Sequence, residues 1–319
     1  MRRREFLLGA LSTASAAVLP QALRGAAALL SPAPAERSAI ALGRGAGHHE
    51  VLRRAVAALG GPSLLARPGE QVLLKPVLAW NRAPREGANT QPEILRAAIE
   101  LALEGGASRV TICDRTSLRA ASVHSVSGVD RVVRAFRSPR VRLVEVRERD
   151  LVTVREAARS RGMKDFEARS RGIESALDAL RVSKHVLMAD RIVNLATVRH
   201  HPTRRVALGF SNLLGLVGGW SSTPRWLAQH DTELALLAAS LRPELTILDA
   251  TRPILSNGPA GLTSADVGRW DEIAVGRDPV AVEAWGARRF GVEPSLLGHI
   301  PLAEGLGLGS ADTPTIIEV

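Results

Sequence analysis

The stretch QVLLKPVLAWNRAPREGANTQPEILRAAIELALEGGASRVTICD, residues 71–114, decides the fold. Residues 71–78 are an apolar run of strand length. Pro92–Glu104 repeats apolar residues three and four apart, with proline in its first turn and Gly105-Gly106 after its end. Residues 109–113 are a second apolar run. Strand, helix and strand in this order make a crossover unit, which joins parallel strands.

The alternation extends in both directions. On the amino-terminal side, residues 38–42 predict a strand, 43–47 a glycine loop and 49–59 a helix that stops at Gly60-Gly61. On the other side, 129–136 predict a helix and 141–146 a strand. Residues 186–188 and 192–196 are strand-like, and 231–241 predict a helix. Strands at 245–248 and 272–275, a helix at 280–290 and a final strand at 315–319 complete the series. From Glu148 to Arg181 charges are dense and apolar residues sparse, which predicts an inserted helical or loop region at the rim. The expectation is an α/β fold, a mainly parallel sheet flanked by helices, with that charged insertion.

The first residues combine Arg2-Arg3-Arg4 with a short apolar stretch and Ala-x-Ala sites such as Ala33-Pro34-Ala35. That order describes a secretory signal, and Arg3-Arg4-x-Phe6-Leu7 resembles a twin-arginine translocation signal. The apolar core falls short of the about 20 residues that a spanning helix needs. Residues 1–35 are therefore read as a signal peptide, and 36–319 as a single α/β domain or two lobes of one unit. The expected partner is the twin-arginine translocation machinery, and the expected location is periplasmic or otherwise extracytoplasmic.

The net charge is +10, and removing residues 1–35 leaves +7. Only Lys75, Lys164 and Lys184 are lysines, so almost all basic charge is arginine. The chain has no Tyr and 5 Phe, a poor supply of the aromatic platforms that hold single-stranded nucleic acid. No nucleic-acid partner is expected. Cys113 is the one cysteine, so no iron–sulfur cluster is expected on this chain; it reads as a buried thiol.

Several apolar runs reach a polar residue: Lys75 after 71–74, Asp114 after 110–113, Asn194 after 191–193 and Asp249 after 245–248. Ligands of open α/β sheets bind outside the carboxyl ends of the strands. Parallel strands would bring these four residues to one rim. Each also suits a cap or turn.

The motifs carry a family resemblance. Lys75-Pro76, Ala88-Asn89-Thr90-x-Pro92 and Gly106-Ala107-x-Arg109-Val110 leading to Asp114 form its first half. Val193-Asn194 with His201, Ser211-Asn212-Leu213-Leu214-Gly215 and Asp278-Pro279-Val280-Ala281-Val282-Glu283-Ala284 form the second. In this order they resemble the domain of unknown function 362 family, from about residue 38 to about 295. The family's central stretch usually reads Asn–apolar–Pro–Lys–x–Lys–Thr–His, with a later Lys-Asn-Leu. Here Ala196 and Thr197 stand for Pro-Lys, Arg199 for the second Lys, His200 for the Thr and Ser211 for the later Lys. Glu283 stands where Asp is common. Many members add a cysteine-rich ferredoxin-like part, which this chain lacks. The resemblance implies a fold and a site, not a reaction.

Candidate chemistry follows from residue types. Lys75 and Asp114 are the acid–base candidates, since a desolvated lysine with a lowered pKa can act as base or nucleophile. Asn89, Thr90, Asn194, Arg199, Asn212 and Asp249 are ligand-contact candidates. Arg199, Arg204 and Arg205 supply forks for carboxylate or phosphate. Gly43-x-Gly45-x-Gly47 before a helix is a weak anion cradle or an ordinary turn. His48-His49 and His200-His201 are adjacent pairs, and one histidine of each, His49 and His201, with Asp114 or Asp249, would make a divalent-metal set. Two functions stand open: an exported enzyme acting on a small anionic molecule, with a metal or a separate redox protein as helper, and a non-catalytic periplasmic anion- or metal-binding or assembly protein.

Overall fold

The computed structural model describes residues 38–116, 119–160, 180–218 and 230–319. The expected signal peptide and most of the charged insertion lie outside them. Strands β1 (Ile40–Arg44), β2 (Gln71–Pro76), β3 (Arg109–Asp114) and β4 (Val141–Glu145) alternate with helices α1 (His48–Ala58), α2 (Pro92–Glu104), α3 (Ala120–Val126) and α4 (Val129–Ala135). A small antiparallel pair follows, β5 (Leu151–Thr153) and β6 (Arg181–Ser183), with α5 (Val154–Ser160) after β5. Then come β7 (Arg191–His201), β8 (Arg205–Ala207), α6 (Gly209–Leu213), α7 (His230–Leu241), β9 (Leu245–Ile254), β10 (Glu272–Gly276), α8 (Pro279–Arg289), α9 (His299–Gly305) and β11 (Ile316–Glu318).

The main sheet runs β11-β1-β10-β9-β7-β2-β3-β4, with β8 folded back on β7. The centre is parallel: β9 with β7, β7 with β2, β2 with β3 and β3 with β4. Strand β10 is antiparallel to both neighbours, β9 and β1. The expected mainly parallel sheet with helices on its faces is the fold observed.

Strand alternation sends side chains to opposite faces. Val193, Leu195, Leu245 and Ile247 pack on the face covered by α1, α2 and α4. Ile192, Ala196, Val198 and Leu248 pack on the face covered by α6, α7, α8 and α9. Both faces are buried, which explains why the central strands read as continuous apolar runs.

Four local expectations change. Residues 77 and 78 leave the strand, because Thr90 Oγ1 takes the Val77 N–H at 2.8 Å and Asp114 Oδ2 takes the Leu78 N–H at 2.6 Å. Residues 186–188 are not a strand: Lys184–Val186 is a 3-10 turn, with the Ser183 hydroxyl accepting the His185 N–H. Strands β7 and β9 run well past 196 and 248, so Asn194 and Asp249 lie within strands and not at their tips. Asp249 also points to the α1–α2 side, where it accepts the Gln91 N–H at 3.1 Å.

Candidate functional site

Register places Lys75 of β2 beside Asn194 of β7. Helix α6 crosses above them and brings Asn212. The Lys75 ammonium donates to Asp114 Oδ1 at 2.9 Å, to Asn212 Oδ1 at 2.7 Å and to the Pro76 carbonyl at 2.7 Å. An ammonium has three protons, and three acceptors take them. Asn212 Nδ2 donates to Asn194 Oδ1 at 2.7 Å and to the Lys75 carbonyl at 2.8 Å. Asn194 Nδ2 in turn donates to the Gly209 carbonyl at 2.9 Å. Asp114 is fixed by the Leu78 and Arg115 N–H groups. All four side chains are buried.

The 3-10 turn Leu214–Leu216 lies directly on this pair. A Cβ on Gly215 would come within 1.8 Å of Asp114 Oδ1 and 2.8 Å of Lys75 Nζ. Only a residue without a side chain allows that approach.

Burial pulls the Lys75 pKa below its ordinary value, and the Asp114 carboxylate opposes that pull. Burial also holds the Cys113 thiol at about 12, so it stays protonated and unreactive near neutrality.

Two further cations stand beside the network. Arg199, near the carboxyl end of β7, is buried, and its Nε has no hydrogen-bond partner among the described residues. Arg204, in the turn between β7 and β8, has Nε and Nη1 in the same condition. Burial lowers both to about 10, so both remain charged near neutral pH. Asp114 is the acid that acts on Arg199; Asp231 and Glu283 act on Arg204 without bonding it. Ser211 Oγ of α6 and Glu233 Oε2 of α7 are also buried without a partner among the described residues.

A third group supports α6 from behind. Glu283 of α8 accepts the Phe210 N–H at 3.0 Å through Oε2 and meets His299 Nε2 at 3.0 Å through Oε1. His299 Nδ1 meets Asp231 Oδ1 at 3.2 Å. The two carboxylates raise the His299 pKa despite its burial. Sequence reasoning singled out Glu283 but not His299 or Asp231. These lie on three separate helices, and no spacing in the chain announces that they meet.

The other expected site residues have structural partners. Asn89 closes its loop through the Trp80 N–H and the Trp80 and Arg82 carbonyls. Thr90 ties the end of β2 to the Leu195 carbonyl at 2.8 Å. Asp249 accepts from Thr251 and Gln91. His49 pairs with Glu100 of α2 at 2.6 Å. His201 Nδ1 accepts the Thr203 and Arg204 N–H groups in the β7–β8 turn. The set of two histidines and one carboxylate is therefore not assembled. Among the described residues no three His, Cys, Asp or Glu side chains gather as a metal site.

The geometry defines an α/β protein whose charged, buried network lies against the carboxyl half of a parallel sheet. The chain belongs to the domain of unknown function family DUF362, whose model matches residues 72–288. It is 26% identical over 274 residues to a thylakoid-associated protein of Synechocystis sp., covering 84% of this chain and 76% of that one. Among solved structures it is similar to the lactate racemase apoprotein of Thermoanaerobacterium thermosaccharolyticum, with 12% identity, a TM-score of 0.44 and 81% of this chain covered. A Thermotoga maritima protein is matched at 10% identity and a TM-score of 0.38, again over 81% of this chain. The chain spans 58% and 59% of the lengths of those two structures.

Proposed function

We propose that this protein binds a small anionic molecule at Arg199 and Arg204 and acts on it beside the Lys75–Asp114 pair. One observation carries the reading: the buried Arg199 and the half-buried Arg204 keep buried N–H donors without partners among the described residues. Buried donors left unsatisfied cost about 1–3 kcal/mol each, more when charged, so a site that retains them suits an acceptor that arrives. A carboxylate or phosphate matches the guanidinium fork in shape and charge. Lys75, Asn212 and Asn194 hold α6 in place, and the lysine reaches a ligand only if one of its three bonds opens.

The test is calorimetric titration of the full chain with inorganic phosphate and with small carboxylates. Arg199→Gln and Arg204→Gln should each weaken binding at least tenfold, since charge-assisted bonds contribute about 1.5–3 kcal/mol. Equal affinity in wild type and both variants would remove the proposal.

The second reading, an anion carrier without catalysis, is favoured by the saturated Lys75 ammonium. Exchange of ligand hydrogens in deuterated water separates the two. Exchange that is abolished in Lys75→Met supports an enzyme, and tight binding without exchange supports a carrier. Export belongs to the same proposal: residues 1–35 fused to a reporter should direct it across a membrane in a twin-arginine-dependent way, and Arg3→Lys with Arg4→Lys should stop it. A separate redox protein enters only if the exchange assay depends on an added electron carrier.

A further inference from the structure

A second groove lies at the opposite rim, where the parallel strands begin. Arg67 precedes β2, Arg191 opens β7, Glu244 precedes β9 and Arg277 follows β10; Arg242 ends α7. The groove has a volume of about 370 Å³ and is walled by Pro243 and Pro279, whose fixed φ makes a stiff rim. That is the scale of small-molecule pockets.

Its charges do not balance. Arg191 is satisfied by Glu70 at 2.5 Å and by the Ser63 and Leu64 carbonyls at 3.4 Å. Glu244 is engaged with the Ile192 N–H at 2.6 Å. Arg67 shares Glu70 with Arg191. Arg242 and Arg277 have no acidic partner among the described residues. Helix α8 begins here too, but Asp278 already takes its Val280 and Ala281 N–H groups, so the helix end is not the attracting group.

Arg242 is the second observation. It has φ of 40°, in the left-handed region, and its N–H closes the end of α7 on the Ala238 carbonyl at 2.8 Å. Glycine is the usual residue at such a helix end, because a Cβ is disfavoured there. An arginine kept in that conformation points to a use for its side chain.

We infer that this groove binds a compact polyanion carrying at least two phosphate or carboxylate groups. A monoanion can engage one guanidinium fork; a polyanion bridges Arg242 and Arg277 and neutralises the excess charge. The inference does not rest on the Arg199–Arg204 site.

The experiment is titration of the full chain at low salt with inorganic pyrophosphate, citrate and inorganic phosphate. Pyrophosphate or citrate should bind at least tenfold tighter than phosphate, and added salt should weaken it. Preference for pyrophosphate identifies a phosphate ligand, and preference for citrate a carboxylate one. Arg277→Gln and Arg242→Gly should each weaken polyanion binding at least tenfold. Arg242→Gly should keep or raise the melting temperature, because glycine suits the left-handed backbone, so lost binding cannot be put down to lost folding. Arg199→Gln should leave this binding unchanged, which separates it from the first site. No binding of either polyanion to wild type, or unchanged affinity in both groove variants, would overturn the inference.

Discussion

Lys75 shows what a buried ammonium requires. One carboxylate, one amide oxygen and one backbone carbonyl meet its three donor positions in place of water. Removing one partner of such a pair leaves the other charge alone. Lys75→Met should therefore lower the unfolding free energy by about 3–5 kcal/mol. Adding Asp114→Asn should restore part of that loss, since the stranded carboxylate is gone and an amide oxygen can still accept the Leu78 N–H. Denaturant unfolding of the two single variants and the double variant measures the coupling, expected at about 1–3 kcal/mol. Gly215→Ala should cost about 1–3 kcal/mol by overpacking against the same pair, read in the same assay. Lys75, Asp114, Asn194 and Asn212 were all legible in the sequence as polar interruptions of apolar runs. Their division of labour was not. Asn89, Thr90 and Asp249 interrupt apolar or helix-opening segments in the same way, yet their bonds close loops and edges.

At the scale of elements, α6 depends on supports supplied from elsewhere. It has five residues, and the Glu283 carboxylate, itself bonded to His299, receives its Phe210 N–H. The His299 pKa is raised above its ordinary 6.5 when folded. The folded state therefore binds more protons than the unfolded state once pH exceeds 6.5, so stability falls as pH rises through the folded pKa. The contribution is fully present below 6.5. His299→Gln should flatten the stability profile over that interval and lower stability at acidic pH, measured by urea unfolding at a series of pH values. Most strands and helices were legible because apolar period and glycine punctuation agree. The exceptions share a cause: side chains from distant segments took the backbone donors. Thr90 and Asp114 end β2 early, and Ser183 turns 184–186 out of a strand. A single sequence does not show which side chain will arrive at a given N–H.

Across the whole molecule, the parallel sheet separates two cationic regions. Arg199 and Arg204 stand toward the carboxyl ends of the central strands, and Arg242 and Arg277 stand where those strands begin. No described helix is long and apolar enough to cross a membrane. Sites at opposite ends of a rigid sheet share no partner, so their effects should add. A ligand at a hundredfold excess over its Kd stabilises the folded state by about 2.7 kcal/mol per site. For a chain of this size that is a rise of about 4 °C in Tm. Pyrophosphate should therefore raise the Tm of wild type more than that of Arg277→Gln, and inorganic phosphate should raise it more than that of Arg199→Gln, measured at matched ionic strength. The double variant should respond no more than to chloride. A double variant that still gains the full wild-type rise would show that the anion stabilises the protein through neither rim.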